Sequence, residues 1–200
     1  MTIAVIDYGA GNTQSVATAF KRLGVDTVLT NSKEVLQKAD GVIFPGVGHA
    51  QYAMDNLKSV GLEAFIPQLK QPVLGICLGF QLMCAHSEEG DVQGLNIFNT
   101  EVKRFPDLKG LKVPHMGWNK IETIDSELLK GLNNAHFYHV HSYYVEPNSS
   151  LSSKCLHGIE FMTSAEKANF YGVQFHPEKS GAAGEKLLQN FLEIVRISIN

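Results

Sequence analysis

The sequence predicts an α/β fold: a mostly parallel open sheet with helices on both faces and an antiparallel β extension in the C-terminal half. Three observations predict it. Short apolar, β-branched runs alternate with helix-period segments as far as Met83. The glycine-rich loops around Gly11-Asn12, Gly46-Val47-Gly48 and Cys77 all follow such runs, at the carboxyl edge where α/β sheets keep their functional loops. From Asn99 onward the pattern becomes strand-rich. With 200 residues, 44% hydrophobic and 18% charged, the chain can bury a sizeable core, and residues 1–200 read as one domain.

Taken in order, residues 2–7 read as a strand and 8–12 as a loop. Residues 13–23 place Val16, Ala19, Phe20 and Leu23 on one helical face, with Gly24 as the stop. A second strand covers 25–29. Asn31 and Glu34 have the spacing of a capping box, opening a short helix through Lys38. Residues 41–44 are a buried strand, and helical patterns cover 50–58 and 62–70. Residues 72–76 read as a buried strand and 80–85 as a helix, followed by a polar turn over 87–91. Strands are expected over 100–105, 120–124, 135–145, 154–157, 161–165 and 169–175, with a hairpin turn at Glu166-Lys167. A short helix is expected over 126–132. An amphipathic helix over 184–199 closes the chain, with Leu187, Leu188, Phe191, Leu192 and Val195 inward.

The strongest chemical signal is Gly75-Ile76-Cys77-Leu78-Gly79. A strand that turns sharply into a helix crowds the residues on either side of the corner, so glycine is favoured there and the corner residue is pushed out. This is nucleophile-elbow spacing with Cys in place of Ser. A thiol at a helix N-terminus lies in a field that favours thiolate. The alternative is a small buried core cysteine. A Cys nucleophile needs a base, normally His. His176 follows the apolar run 171–175, Pro177 stiffens the exit, and Glu178 can orient the imidazole as the third member of a triad. His115, His139 and His141 compete for the role. His139 and His141 alternate on one strand face and could pair on a metal. No Cys or carboxylate lies at matching spacing, and no metal is expected. The Gly9-Ala10-Gly11 loop opens like a dinucleotide fingerprint, but Gln14 stands at the third glycine position, so a tight turn and no cofactor are expected.

The formal net charge of −3 gives no reason to expect nucleic acid or an anionic membrane as partner. No apolar run approaches the roughly 18 residues of a membrane span. The N-terminus runs directly into a strand, so no secretory leader is expected. Cys77 and Cys84, on one expected helix, would lie about 10 Å apart along its axis, too far for a disulfide. With 3 cysteines in all, a reduced, cytoplasmic protein is expected.

Gly-Ile-Cys-Leu-Gly-Phe-Gln at 75–81 and Gln-Phe-His-Pro-Glu-Lys-Ser at 174–180 resemble the triad (class I) glutamine amidotransferases, whose fold is flavodoxin-like. Asp7-Tyr8-Gly9-Ala10-Gly11-Asn12, Pro45-Gly46-Val47-Gly48, Pro114-His115-Met116-Gly117-Trp118-Asn119 and Glu178-Lys179-Ser180 are similar to the glutaminase subunits of imidazole glycerol phosphate synthases. Thr13 departs from the usual Leu, outside the triad. The resemblance implies hydrolysis of L-glutamine to glutamate and ammonia, with ammonia passing to a (β/α)₈ cyclase subunit in a heterodimer for a histidine-biosynthesis step. It implies Cys77 as nucleophile, His176 as base and then acid, and Glu178 as orienting carboxylate. Leu78 and Val47 would supply oxyanion-hole N–H groups. Gly46, Gln81, Glu89, Ser142 and Tyr143 match substrate-binding positions; Asn12, Trp118 and Lys179 match the cyclase interface. Without the resemblance, Trp118 would equally suit a core and Lys179 a solvated surface. Gly46 and Gly48 flank Val47 and would let the intervening peptide reverse. A related barrel synthase in a nucleotide-sugar or lipopolysaccharide pathway is the alternative destination for the ammonia.

Overall fold

The computed structural model describes residues 1–199. The alternating segments fold as β1 (Ile3–Ile6), α1 (Thr13–Arg22), β2 (Thr27–Thr30), α2 (Lys33–Lys38), β3 (Gly41–Gly46), α3 (Ala50–Ser59), β4 (Val73–Cys77) and α4 (Leu78–Leu82). The strand-rich part supplies β5 (Cys84–Ser87), β6 (Val92–Gln93), β7 (Phe98–Arg104), β8 (His115–Lys120), β9 (Glu122–Thr123), β10 (His136–His141) and β11 (Tyr143–Val145). It continues with β12 (Leu151–His157), β13 (Ile159–Lys167) and β14 (Phe170–Val173), and α5 (Gly181–Ser198) follows.

The strands β2, β1, β3, β4 and β14 lie side by side in that order, all parallel. Beyond β14 the sheet turns antiparallel through β13, β11 and β7; β5 then pairs with β7 in parallel and with β6 antiparallel. The strands β8 and β10 pair separately as an antiparallel ribbon. Helices cover both faces of the parallel part. Ala4 and Ile6 of β1 pack with Leu36 of α2 and Met54 and Leu57 of α3. Ile3 and Val5 pack with Val16 and Phe20 of α1 and Leu188 and Phe191 of α5. Side chains alternate across a strand, so a run buried on both faces is apolar at every position.

Several expected elements differ. The helix expected over 62–70 reduces to a 3-10 turn, Ile66–Gln68. Pro67 has no N–H to donate and disfavours a helical residue before it. The helix after Cys77 ends at Leu82, because Cys84 already pairs with Phe98 in the sheet; Cys77 and Cys84 do not share a helix. The capping residue of α2 is Ser32, not Asn31: its hydroxyl accepts from Val35 N–H at 3.4 Å. Glu34 instead pairs with Lys38 at 2.7 Å. The segment 126–132 is a run of turns with Lys130 N–H donating to the Glu127 carbonyl and Leu132 N–H to that of Leu129. Glu166 and Lys167 lie inside β13, paired with Tyr171 and Phe170, and the hairpin turns at Ala168-Asn169. Residues 135–145 are two strands: β10 belongs to the ribbon and β11 to the main sheet, so the chain changes sheets at Ser142. The expected strand over 120–124 shortens to β9, and β8 before it was not expected.

The elbow depends on absent side chains. A Cβ on Gly79 would lie 1.9 Å from the Phe44 carbonyl oxygen of β3, and one on Gly75 would lie 3.0 Å from the Phe80 backbone. Gly79→Ala must therefore push α4 away from β3. We expect a loss of about 3 kcal/mol or more, read from the denaturation midpoint.

Candidate active site

The strand β4 ends on Cys77, whose φ of +54° and ψ of −110° belong to neither strand nor helix. Such a backbone costs a non-glycine residue about 1–3 kcal/mol and persists only where its surroundings hold it. The sheet supplies that hold. Cys77 is in register with Gly46 of β3, and Ile76 with Val173 of β14. The segments following β3, β4 and β14 thus meet at one edge.

The segment after β14 carries His176. Its N–H donates to the Tyr138 carbonyl of β10 at 2.9 Å. Ser180 completes the clamp: its hydroxyl donates to the His176 carbonyl at 2.6 Å and accepts from Tyr138 N–H at 3.0 Å. His176 Nδ1 lies 2.8 Å from Glu178 Oε1, and both side chains are 2% exposed. The other ring nitrogen, Nε2, has no nitrogen or oxygen partner among the described residues and is left to face Cys77. Burial by itself would lower the His176 pKa. Contact with Cys77 and the Glu178 carboxylate outweigh it and push the imidazole up to about 10.

A raised pKa means the folded chain holds its proton more tightly. The charged group stabilises the fold fully below the unfolded value, and that contribution is lost as pH rises through about 10. We expect NMR titration of His176 to show this high value, and a lower one in Cys77→Ala, where the Cys77 contact is gone. An unchanged titration in that variant would show that Cys77 is not the partner.

Beside Cys77 and His176 lies a cavity of about 220 Å³. Cys77 and His176 line it, together with Val47, Leu78, Gln81, Glu89, Ser142, Tyr143 and Lys179. A larger open cleft of about 660 Å³ between Arg22, Lys130 and Glu185 carries no nucleophile. Glu89 reaches the cavity from the turn after β5, and its carboxylate accepts from Ala50 N–H, the first residue of α3, at 2.8 Å. Burial raises the Glu89 pKa, and that N–H and His49 offset only part of the rise. Gln81 donates from Nε2 to the Tyr143 carbonyl and to Gln174 Oε1, both at 3.0 Å.

Gly46 does not line the cavity. A Cβ there would lie 2.5 Å from Gly79 N, so its glycine serves close packing of β3 against α4. Only Gly48, with φ +104° and open space around a Cβ, has the conformational freedom expected of both. Asn12 also lies outside the cavity; its side chain caps α1 by accepting from Ser15 N–H at 3.2 Å. Trp118 is no core residue: it is 57% exposed on β8, beside the equally exposed Met116.

Two site residues escaped the sequence reading. Gln174 is fully buried, bonded to Gln81, with its amide nitrogen 3.9 Å from Cys77 Sγ. A lone Gln in the apolar run 171–175 was the available signal. Tyr8 donates its hydroxyl to the Pro45 carbonyl at 2.8 Å, holding the strand end that precedes Val47. Nothing in its local sequence marks that contact.

The geometry has counterparts. Residues 4–195 match the family described as glutamine amidotransferase class-I. The imidazole glycerol phosphate synthase subunit HisH of Bacteroides fragilis is 55% identical over 196 residues, covering 97% of this chain and 100% of that one. Its counterpart from Haemophilus influenzae is 47% identical over 197 residues, covering 98% of each. A crystal structure of a glutamine amidotransferase shares the fold, with TM-score 0.76 at 18% identity, covering 97% of this chain and 98% of that one. The chain belongs to the class-I glutamine amidotransferase family, among the HisH subunits of imidazole glycerol phosphate synthase.

Proposed function

We propose that Cys77, His176 and Glu178 hydrolyse L-glutamine to glutamate and ammonia, and that the ammonia passes directly to a (β/α)₈ cyclase subunit. The observation that carries the reading is the buried 2.8 Å His176–Glu178 pair beside a strained Cys77, with His176 and Cys77 lining one cavity. The Cys77 thiolate attacks the carboxamide carbon. The His176 imidazolium gives its proton to the departing ammonia, leaving a thioester on Sγ. Neutral His176 then takes a proton from water, which attacks the thioester and releases glutamate. Each tetrahedral intermediate carries a negative oxygen, which the N–H groups of Leu78 and Val47 stabilise. Glu89 meets the substrate's ammonium, while Gln81, Ser142 and Tyr143 hold its amino-acid end against the wall.

The exposed Trp118 and Met116 suit a docking face, with Asn12 and Lys179 at the same functional edge. The cyclase there converts a phosphoribulosyl-aminoimidazole-carboxamide nucleotide to imidazole glycerol phosphate and an aminoimidazole carboxamide ribotide. The test is to mix the purified chain with candidate barrel synthases and assay each acceptor with glutamine. Turnover with a nucleotide-sugar acceptor, and none with the aminoimidazole nucleotide, would move the ammonia to the other pathway.

A further inference from the structure

Three buried imidazoles converge at the wall of the glutamine cavity, and one of them, His141, lines it. His115 comes from β8, His139 and His141 from β10. The ribbon register sets His141 opposite His115, and alternation puts His139 on the same face. Their ligating nitrogens all lie within 4.8 Å of one another. His115 Nδ1 and His139 Nδ1 each stand 3.2 Å from His141 Nε2. Nitrogens at tetrahedral zinc, about 2.0–2.1 Å from the metal, are about 3.3–3.4 Å apart. Two edges of that tetrahedron are already formed. We propose that His115, His139 and His141 bind one zinc ion, with water as the fourth ligand.

The protons explain why the cluster lacks something. His141 Nδ1–H donates to the Tyr143 carbonyl at 2.7 Å, so its Nε2 offers one lone pair. Two rings turn a nitrogen toward it, and only one can use it well. Asn119 decides which. Its amide nitrogen donates to the Leu156 carbonyl and faces His115 Nε2 at 3.2 Å. His115 therefore carries its proton on Nδ1 and donates to His141. His139 is left over: fully buried, with no partner for Nε2 and with Nδ1 facing a lone pair already taken. A cation at the meeting point accepts all three lone pairs. Binding through Nδ1 moves the His115 proton to Nε2, which must displace the Asn119 amide nitrogen, because that amide is held in its present orientation by Lys120 N–H on Oδ1 at 2.8 Å and by the Leu156 carbonyl at 3.0 Å. His141 already has the carbonyl partner that metal-bound imidazoles commonly keep.

Three imidazoles without carboxylate or thiolate select zinc-like cations over calcium or magnesium. His157 stacks on His115 at 4.1 Å and gives its Nε2 to the Lys112 carbonyl, so it walls the site and does not ligate. The Tyr143 carbonyl receives both His141 and Gln81, so the cluster meets the glutamine cavity through that oxygen as well as through His141 itself.

The test uses the full chain, stripped of metal, as wild type and as Cys77→Ala, which removes the triad thiolate as a rival ligand. Zinc and cobalt are titrated into each. Expected are one ion per chain in both, a cobalt spectrum of tetrahedral nitrogen ligation without sulfur charge transfer, and a higher Tm with zinc. His139→Phe, which keeps the ring's bulk, should weaken binding about tenfold or more. No binding at micromolar zinc, six-coordinate cobalt, or binding lost in Cys77→Ala would overturn the site. Should His139→Phe fail to fold, the wild-type cobalt spectrum decides by itself.

Discussion

Cys77→Ala is expected to abolish glutamine hydrolysis while the assembled complex still makes product from added ammonium. Removing the nucleophile of a triad costs on the order of 10⁴–10⁶ in turnover. No other thiol can take its place. Cys84 is fully buried in β5, its Sγ directed at the Phe80 carbonyl 3.6 Å away, and burial raises its pKa. Burial also pushes the Cys155 thiol up to about 12. A diazo-oxo-norleucine electrophile should therefore label Cys77 alone, and peptide mapping checks this. Label on Cys84 would overturn the elbow assignment. Failure with ammonium as well as glutamine, in a complex that still assembles, would overturn the division of labour between the subunits.

The isolated chain is expected to release glutamate very slowly, with kcat rising by about 10²–10³-fold on adding cyclase and its nucleotide ligand. That factor is the usual worth of one oxyanion donor, here the Val47 N–H. The loop can hide that donor because the chain can swivel on one side of it only. Gly46 is wedged 2.5 Å (ideal Cβ to backbone N) from Gly79, so it stays put. Gly48 holds φ +104° with nothing near it, and Val47 is 39% exposed. Gly48→Ala makes no clash, yet it penalises that backbone. It should leave the fold and partner binding intact, raise the basal rate of the isolated chain and so shrink the ratio of activated to basal rate. The measurement is glutamate release from the chain alone, with cyclase, and with cyclase plus ligand. Equal kcat in all three would rule out a latent oxyanion hole and leave the triad standing.

Much of this was legible in residue order because the signals were local. The elbow needs Gly75, Cys77 and Gly79 within five positions, and His176-Pro177-Glu178 holds an orienting carboxylate two residues from its base. The helices α1, α3 and α5 follow their apolar period, with Gly24 ending α1 as expected. Local propensity failed where partners are distant. Cys84 leaves the helix because Phe98 pairs with it. The strand expected over 135–145 breaks because β10 and β11 find partners in different sheets, β8 and β7.

Residue order by itself determined the groups on which the proposed chemistry rests: a cysteine at a glycine-flanked corner, a histidine at a strand end and a carboxylate beside it. Only the tertiary structure decided what surrounds that chemistry. Gly46 proved a packing contact, because β3 lies against α4, while Gly48 stands clear of its neighbours at positive φ. Gln174 joined the site because β14 lies in register with β4. His115 joined His139 and His141 only through the β8–β10 pairing. These are contacts between residues tens of positions apart, and strand register, which sets them, is a property of the whole sheet and not of any short stretch of chain.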